Sequence, residues 1–459
     1  MNTRVFKGFL ALAASSVALG VAAAQDTTDL EERVDALESK LDQILDRLDN
    51  QDAMLTPSER QDVRDAVKLI RTSTVTVQPK DFGETPPEQL LEDRPQGFMS
   101  GDTEVVLGGY IKLDASVTEF TGGELPTSSL GRDFYIPGLV PVGGEGSDPV
   151  IDFNPRESRF FFGFNTQNNG HKIGGKLEFD FQVTSDGNER VSNSFTPRMR
   201  QAFVTIDNWL LGQTWSTFQD VAALPDNLDF IGPTEGTVFD RQPMIRYTKG
   251  PIQIAIEQPE TEITTATGGR MMPGDDLLPD LALRYNAKGD YGHVTVAGIL
   301  RQLKAGSDVT GMDDEVAYGW GVSASGKLKM GSKDDFRFMA TYGEGIGRYV
   351  GVNIVNDAAL QADGSLETIP TTSGFISYRH FWNNQWRSNL TLGYFEADNP
   401  VQLTSGAVTD TVTSIHANLI YSLTSKIDVG VELIRADREL ENGDDGAMNK
   451  IQFSAKYGF

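Results

Sequence analysis

The chain has 459 residues, no cysteine, 47 glycines and a formal net charge of −25. The absence of cysteine excludes disulfides and a lipid-anchored N-terminus, and the acidic balance argues against nucleic acid as a partner. No stretch after residue 24 has the roughly 20 apolar residues that a spanning helix requires. A membrane protein of this composition must therefore be a closed β-barrel, which satisfies its backbone hydrogen bonds within the sheet.

Residues 1–24 have the pattern of a secretory signal peptide. Arg4 and Lys7 precede an apolar run over residues 9–21, and three alanines at 22–24 form an A-x-A cleavage site. The alternative is an uncleaved anchor, but the apolar run is short for a retained spanning helix. We therefore expect export and a mature chain that begins near Gln25.

Residues 25–71 are predicted to form a periplasmic coiled coil followed by a short helix. Apolar residues recur with the spacing of a and d positions over three to four heptads. Residues 33–38 also resemble a trimerisation motif of short coiled coils, in which an arginine reaches a glutamate on a neighbouring helix. The alternative is one amphipathic helix packed on the barrel. The residues expected at the trimer contact are Leu30, Arg33, Val34, Leu37, Glu38, Leu41, Ile44 and Leu48.

Residues 72–103 are rich in proline, threonine and charge, and they are predicted to be an extended linker. From residue 104 to the end, apolar and polar residues alternate. Leu113 and Val117, for example, share one face of the first strand, and Lys112 and Asp114 share the other. Apolar-out, polar-in alternation is typical of a transmembrane barrel with a wet interior. A soluble sandwich with its apolar face inward is the alternative.

Two features favour the membrane barrel. The last strand ends on Phe459, which resembles the recognition signal of bacterial outer-membrane barrels, and the connections alternate between short turns and long loops. The segments predict an all-β transmembrane barrel of about 16 antiparallel strands over residues 104–459. An even number of strands leaves both chain ends on the periplasmic side, together with the helical region.

The third long connection, near residues 216–240, carries apolar residues that suit packing against an inner wall. We expect this segment to be an inward constriction loop. The residues that we expect to form the constriction are Phe218, Asp220, Asp226, Asp229 and Phe230.

The sequence around this loop resembles the DcaP-like trimeric porins, in residues 212–218, 223–225, 229–233 and 241–243. The resemblance extends over essentially the whole mature chain, although Asp226-Asn227 stands where a Glu-Thr pair is common. It implies an outer-membrane homotrimer with an N-terminal coiled coil that takes up dicarboxylates and related organic anions.

Side chains alternate between the two faces of a strand, so the sequence predicts which of them point into the barrel. About fourteen bases and eight acids are predicted to point inward, which gives a basic inner wall. Such a wall raises the local concentration of anions, and a guanidinium grips carboxylates as a fork. The residues predicted to line the pore and bind solute are Arg159, Arg246, Arg284, Arg301, Arg337, Arg379, Arg387, Lys112 and Lys176. Arg246 ranks first for an organic dianion, followed by Arg284 and Arg159. The alternative pairs these arginines with loop acids such as Asp220, Asp226, Asp229 and Asp240.

The sequence therefore predicts a passive channel that prefers small organic anions such as dicarboxylates, in contact with outer-membrane lipid. The alternatives are a phosphate-selective porin and an envelope tether whose coiled coil reaches the cell wall. An enzyme would need an activated nucleophile. Ser414 and His416 share a face, but a polar lumen explains both. No motif predicts a cofactor or a metal.

Overall fold

The computed structural model describes residues 97–183, 192–265, 267–274, 276–310 and 313–459. The predicted signal peptide (1–24), the predicted coiled coil and short helix (25–71), and the part of the predicted linker before residue 97 lie outside these ranges.

Sixteen antiparallel strands close into one barrel, in which each strand pairs with its neighbours in sequence. Closure is completed by pairing of the last strand with the first, from Tyr110 opposite Gly458 to Phe120 opposite Met448. This architecture confirms the predicted barrel. The strands are β1 Thr103–Phe120, β2 Arg159–Asn168, β3 His171–Asp180, β4 Arg198–Ile206, β5 Trp209–Trp215, β6 Arg241–Lys249, β7 Ile252–Glu257, β8 Asp280–Gly289, β9 Gly292–Ala305, β10 Glu315–Met330, β11 Asp334–Glu344, β12 Pro370–Phe381, β13 Trp386–Ala397, β14 Thr409–Thr424, β15 Ile427–Leu440 and β16 Asp445–Gly458.

Side chains alternate along these strands between a polar lumen and an apolar outer face. In β1, Lys112 is 4 % exposed and Leu113 is 47 % exposed. In β16, Gln452 is 2 % exposed and Phe453 is 55 % exposed. An apolar residue that faces outward from such a barrel contacts lipid, so the alternation predicted from the sequence is the one that the fold uses.

One rim of the barrel carries short turns and the other carries long loops. The turns are the connections at 169–170, 207–208, 250–251, 290–291, 331–333, 382–385 and 425–426, and the longest loops are 121–158, 216–240, 258–279 and 345–369. Short turns mark the periplasmic rim of such barrels. The last loop has only four residues, 441–444, because β15 extends to Leu440 and β16 begins at Asp445.

Several short elements complete the described fold. The helices are Leu130–Asp133, Ser307–Thr310 and Val401–Thr404, and the 3-10 turns are Pro137–Leu139, Val221–Ala223, Thr234–Gly236 and Gly347–Tyr349. A small sheet joins Ile263–Thr264, Arg270–Met271, Ala358–Leu360 and Leu366–Thr368 across two long loops. Within the described ranges, no helix is long and apolar enough to cross a membrane.

Two further short strands pair with β1, namely Phe98–Ser100 and Val150–Asn154. The first of them corrects the predicted linker boundary. The predicted extended linker includes residues 98–103, but Phe98–Ser100 is hydrogen-bonded to β1, and β1 itself begins at Thr103.

Candidate solute-binding site in the channel

The loop at 216–240, called the constriction loop below, lies inside the barrel. It leaves the wall after β5, follows the inner surface past β8 to β16 as far as β1, and returns to β6. The loop and wall residues in contact are Asp220 with Arg284 and His293, Leu224 with Arg337, Asp226 with Arg379 and Arg387, Leu228 with Glu432 and Lys112, and Asp229 with Lys450. The loop is therefore held around most of the circumference.

Six of the predicted pore-lining arginines have carboxylate partners, among them Arg159, whose Nε lies 3.9 Å from Glu178 Oε1. Arg284 Nη2 lies 3.1 Å from Asp220 Oδ1, and Arg337 Nε lies 2.7 Å from Asp335 Oδ1. The remaining pairs are Arg301 with Asp280 and Asp357, Arg379 with Asp226 and Asp335, and Arg387 with Asp226 and Asp428. The pairing with loop acids that the sequence left open as an alternative is present at Arg284, Arg301, Arg379 and Arg387. The acid beside Arg337 lies instead on strand β11.

The predicted lysines are also paired. Lys112 contacts Glu157 from the first long loop and lies 3.3 Å from Asp114. Lys176 Nζ lies 2.6 Å from Glu178 Oε2. Lys112 is balanced locally by two carboxylates and adds little charge to the open lumen, whereas Lys176 shares Glu178 with arginines of the neighbouring strands.

Arg246, which ranked first from the sequence, is 3 % exposed. Its Nε donates to Thr217 Oγ1 at 2.8 Å, and its Nη2 donates to the carbonyl oxygen of Trp215. These contacts fasten the beginning of the constriction loop to β6. In this position Arg246 holds the loop and has little contact with the open channel.

A second group of guanidinium groups lies on the wall of β2, β4 and β6, and we call it the arginine cluster: Arg159, Arg198, Arg200 and Arg241. Two acids of β3 form ion pairs with arginines of this cluster. Glu178 accepts from Arg200 at 2.8 Å and lies 3.9 Å from Arg159, and Asp180 accepts from Arg198 and Arg200 at 2.7 Å each.

Lys176 and the four arginines of the cluster make five cations on this wall, and only Glu178 and Asp180 of β3 face them. The β3 wall therefore carries a local surplus of positive charge, although the chain as a whole is acidic.

Arg241 differs from the other members of the cluster. Within the described part of the chain it has no ion-pair partner, and its buried Nη1 has no hydrogen-bond partner. The adjacent Asp240 lies 3.7 Å from Arg348 instead. The Arg241 guanidinium lies over the rings of Trp215 and Phe239, at 4.5 and 5.7 Å from their centroids.

Aromatic rings from the constriction loop and its neighbours form a row beside the cluster. Phe239 lies between Trp215 and Phe230, with centroids at 5.0 and 6.2 Å, and Phe134 from the first long loop packs on Phe230 at 5.0 Å. Arg200 lies over Trp215 and Phe230 at 5.6 and 5.4 Å. Stacking on rings holds guanidinium groups in fixed positions while leaving their N–H edges available to a ligand.

Sequence reasoning missed Arg198 and Arg200 because of a β-bulge. By strict alternation they share a face with Ala202, on the lipid side. The register shifts between Glu178, which is opposite Gln201, and Phe179, which is opposite Met199, so Arg200 is the extra residue. A bulge re-aims side chains, and here both arginines turn inward. The two inward acids of β3 were the available signal, since buried carboxylates require partners.

Ser414, His416 and Glu432 form a chain of contacts beneath the constriction loop. His416 Nε2 lies 3.2 Å from Ser414 Oγ, and His416 Nδ1 lies 3.4 Å from Glu432 Oε1. His416 is 0 % exposed, and Ser414 Oγ already contacts Glu235 of the loop. Glu432 also accepts from the Leu228 backbone N–H at 2.7 Å. The group therefore anchors the loop, and a substrate could not reach the serine.

A closed antiparallel barrel of sixteen strands, with an inward loop between β5 and β6 and a charged lumen, defines a porin-type channel of the outer membrane. The model of the DcaP outer membrane protein family matches residues 158–459, and the chain belongs to this family. It is therefore an outer-membrane channel and not an enzyme, as the sequence predicted.

A solved structure agrees on the fold. The chain is similar to the outer membrane channel DcaP of Acinetobacter baumannii, with 24 % identity, a TM-score of 0.67, and coverage of 79 % of this chain and 99 % of that one. The anion-selective porin from Comamonas acidovorans gives 11 % identity, a TM-score of 0.49, and coverage of 78 % and 100 %. OmpT of Vibrio cholerae gives 14 %, 0.47, and coverage of 79 % and 100 %. Curated protein sequences provide no match.

Proposed function

We propose that this channel prefers small organic anions, dicarboxylates among them, and that it binds them weakly at the arginine cluster. The observation that carries the proposal is the charge imbalance on the β3 wall, where four cations share Glu178 and Asp180 and Arg241 lies beside them. Arg241 has no ion-pair partner within the described ranges, so its charge is available to a solute. A cleft with charge of one sign concentrates counter-ions.

The chemistry of the cluster favours carboxylates. Guanidinium groups present two parallel N–H donors that match the two oxygens of a carboxylate. A dianion can engage Arg241 with one carboxylate and Arg159 or Arg198 with the other, whereas a monoanion engages a single group. Arg159 supports this role because its Nε has no hydrogen-bond partner in the described structure.

The expected affinity is low. A hydrogen bond to a charged group contributes roughly 1.5–3 kcal/mol, and a water-filled lumen favours the lower end. Two such contacts, reduced by the cost of immobilising the solute, correspond to binding on the order of millimolar. Weak binding suits a channel, because the solute must leave as readily as it enters.

Current block in planar bilayers tests this proposal. Succinate added to the bath should block the chloride current at lower concentration than acetate, because only succinate engages two guanidinium groups. Phosphate serves as the comparison for the phosphate-selective alternative and should block less than succinate. Equal block by succinate and acetate would contradict dianion binding, and stronger block by phosphate would favour the alternative.

The assembly that we propose is a homotrimer. Its support is an apolar outward face on β2 and β3, where Phe160 contacts Phe179 at 5.9 Å and Phe459 at 5.8 Å between ring centroids. Phe162 and Leu177 are exposed on the same face. A flat aromatic face of this kind suits burial against another barrel as well as against lipid. The predicted coiled coil of residues 25–71 would add specificity to the association.

A further inference from the structure

A polar pocket of about 660 Å³ lies low on the wall of β1 to β4, near the periplasmic rim. In its central row, Glu104 of β1 is opposite Asn165 of β2. Gly174 of β3 is opposite Asn165 in turn, and also opposite Thr205 of β4. Opposite residues share a face, and Gly174 shares its face with the inward Lys176, so the pocket opens into the lumen. We call it the exit pocket, and its polar lining is Asp102, Glu104, Asn165, Gln167, Lys172 and Thr205.

Gly174 leaves a space in which polar atoms converge. A β-carbon at this position would lie 2.9 Å from Thr205 Oγ1 and 3.0 Å from Asn165 Oδ1. Any other residue would crowd both oxygens, so glycine keeps this part of the wall open to a close approach. At the other end of the row, Glu104 Oε2 lies 3.4 Å from Asn165 Nδ2. A hydroxyl, an amide and a carboxylate therefore face the same space.

The lower edge of the exit pocket carries one cation and a second amide. Lys172 and Gln167 are opposite each other, one inward position closer to the periplasm than the central row. Both side chains are exposed, and Lys172 has no ion pair with any described residue. Asp207 of the adjacent turn accepts from the Lys172 backbone N–H at 2.9 Å and contacts His171 Nδ1 at 2.7 Å. These contacts hold Asp207 within its own turn, and the Lys172 ammonium is available to a solute.

The charges of the pocket differ from those of the arginine cluster. Neither Asp102 nor Glu104 has an ion pair with a described residue, so two carboxylates lie with the single ammonium of Lys172. Two carboxylates repel a dianion, but they accept hydrogen bonds from hydroxyl groups. The Asn165 amide and the Thr205 hydroxyl both donate and accept, which matches the two roles of a hydroxyl group. The pocket therefore suits a solute with one carboxylate and several hydroxyls.

We propose that the exit pocket is a second solute subsite, which takes polyhydroxylated monocarboxylates such as sugar acids. Lys172 binds the carboxylate, and Thr205, Asn165 and Glu104 bind the hydroxyls. The volume is within the range of roughly 300–1,000 Å³ that ligand pockets occupy. Lys172 lies about 13 Å along β3 from Lys176, so a solute that leaves the arginine cluster meets the pocket before it reaches the periplasm. The subsite does not depend on dicarboxylate binding at the cluster.

Current block by gluconate tests the chemistry of the subsite. Gluconate should block the wild-type channel at lower concentration than hexanoate, which has the same number of carbon atoms and no hydroxyls. Lys172→Gln should raise the gluconate concentration that blocks half of the current by about tenfold, as expected for the loss of one charge-assisted hydrogen bond. The matched control is Lys329→Gln, because Lys329 is an exposed lysine near the periplasmic end of β10, on the opposite wall. Equal block by gluconate and hexanoate, or equal effects of the two substitutions, would overturn the proposal.

Protection of an introduced thiol tests the position of the subsite in the full-length channel, which has no native cysteine. Gln167→Cys should react more slowly with a charged thiol reagent when gluconate is present, whereas Lys329→Cys should react at the same rate with and without it. Glucose should protect Gln167→Cys less than gluconate, because it has no carboxylate for Lys172. Absence of protection by gluconate, or equal protection by glucose, would overturn the proposal. Either result would leave succinate binding at the arginine cluster untouched.

Discussion

Arg241→Gln is the most informative single substitution in this channel. Arg200 and Arg198 hold Glu178 and Asp180, so removing either arginine would take a partner from a buried carboxylate and would disturb the wall. Arg241 has no ion pair with any described residue, and its contacts are with the rings of Trp215 and Phe239. Glutamine keeps a polar side chain of moderate length while removing the charge and the guanidinium fork.

The magnitude follows from the charge lost. Two unit charges 4 Å apart interact by about 1 kcal/mol in water and about 4 kcal/mol at an effective dielectric constant of about 20. A wet but narrow lumen lies between these limits, nearer the lower one, so a loss of about 1.5 kcal/mol is expected. That corresponds to roughly a tenfold increase in the succinate concentration that blocks half of the current.

The assay is current block by succinate in planar bilayers, with chloride conductance measured on the same channels. The local surplus of positive charge falls only in part, so chloride conductance should change far less than succinate block. Arg241→Lys should give an intermediate block, because it keeps the charge and loses the fork. Arg435→Gln is the matched control, since Arg435 is exposed on β15 and pairs with Asp437. Block by succinate that is unchanged within twofold in Arg241→Gln would refute the assignment.

Three further predictions concern stability and assembly. Arg200→Ala should destabilise the barrel by about 3 kcal/mol in thermal unfolding, because it removes a buried partner of two carboxylates, and wild-type stability would argue against the bulge geometry. Burial raises the pKa of Glu262 from 4.5 to about 7, and Asp357 adds to the rise. The small loop sheet should therefore lose stability as pH rises from about 4.5 to about 7, and Glu262→Gln should abolish this loss, as measured by hydrogen exchange at Ile263. Deleting residues 25–71 should leave trimers that dissociate more readily in light scattering, and finding only monomers for the intact protein would exclude the trimer.

The strand pattern of this barrel could be predicted from the sequence because its physical cause is local. Outward residues such as Leu113 and Phe453 meet lipid, while their neighbours Lys112 and Gln452 meet a polar lumen, so the period of two is nearly unbroken. The constriction loop could be located because apolar residues such as Phe218 are unsuited to a loop in water.

The binding residues were harder to predict because they depend on long-range pairing. Arg246 and Arg284 take the inward parity expected for them, but parity does not reveal that Thr217 and Asp220 of the loop engage them. Arg200 enters the lumen only because a bulge in β4 breaks the alternation. Arg241 is the first residue of β6, and its guanidinium lies over the ring of Trp215, the residue opposite it on β5.

The reversal potential in a potassium chloride gradient tests the central claim most directly. The purified full-length channel in a neutral bilayer should show a potential with the sign of chloride selectivity, which weakens at high salt as the wall charges are screened. This result is expected even though the whole chain carries a charge of −25, because the lumen wall and not the net charge sets the preference. A clear potassium preference would contradict the account.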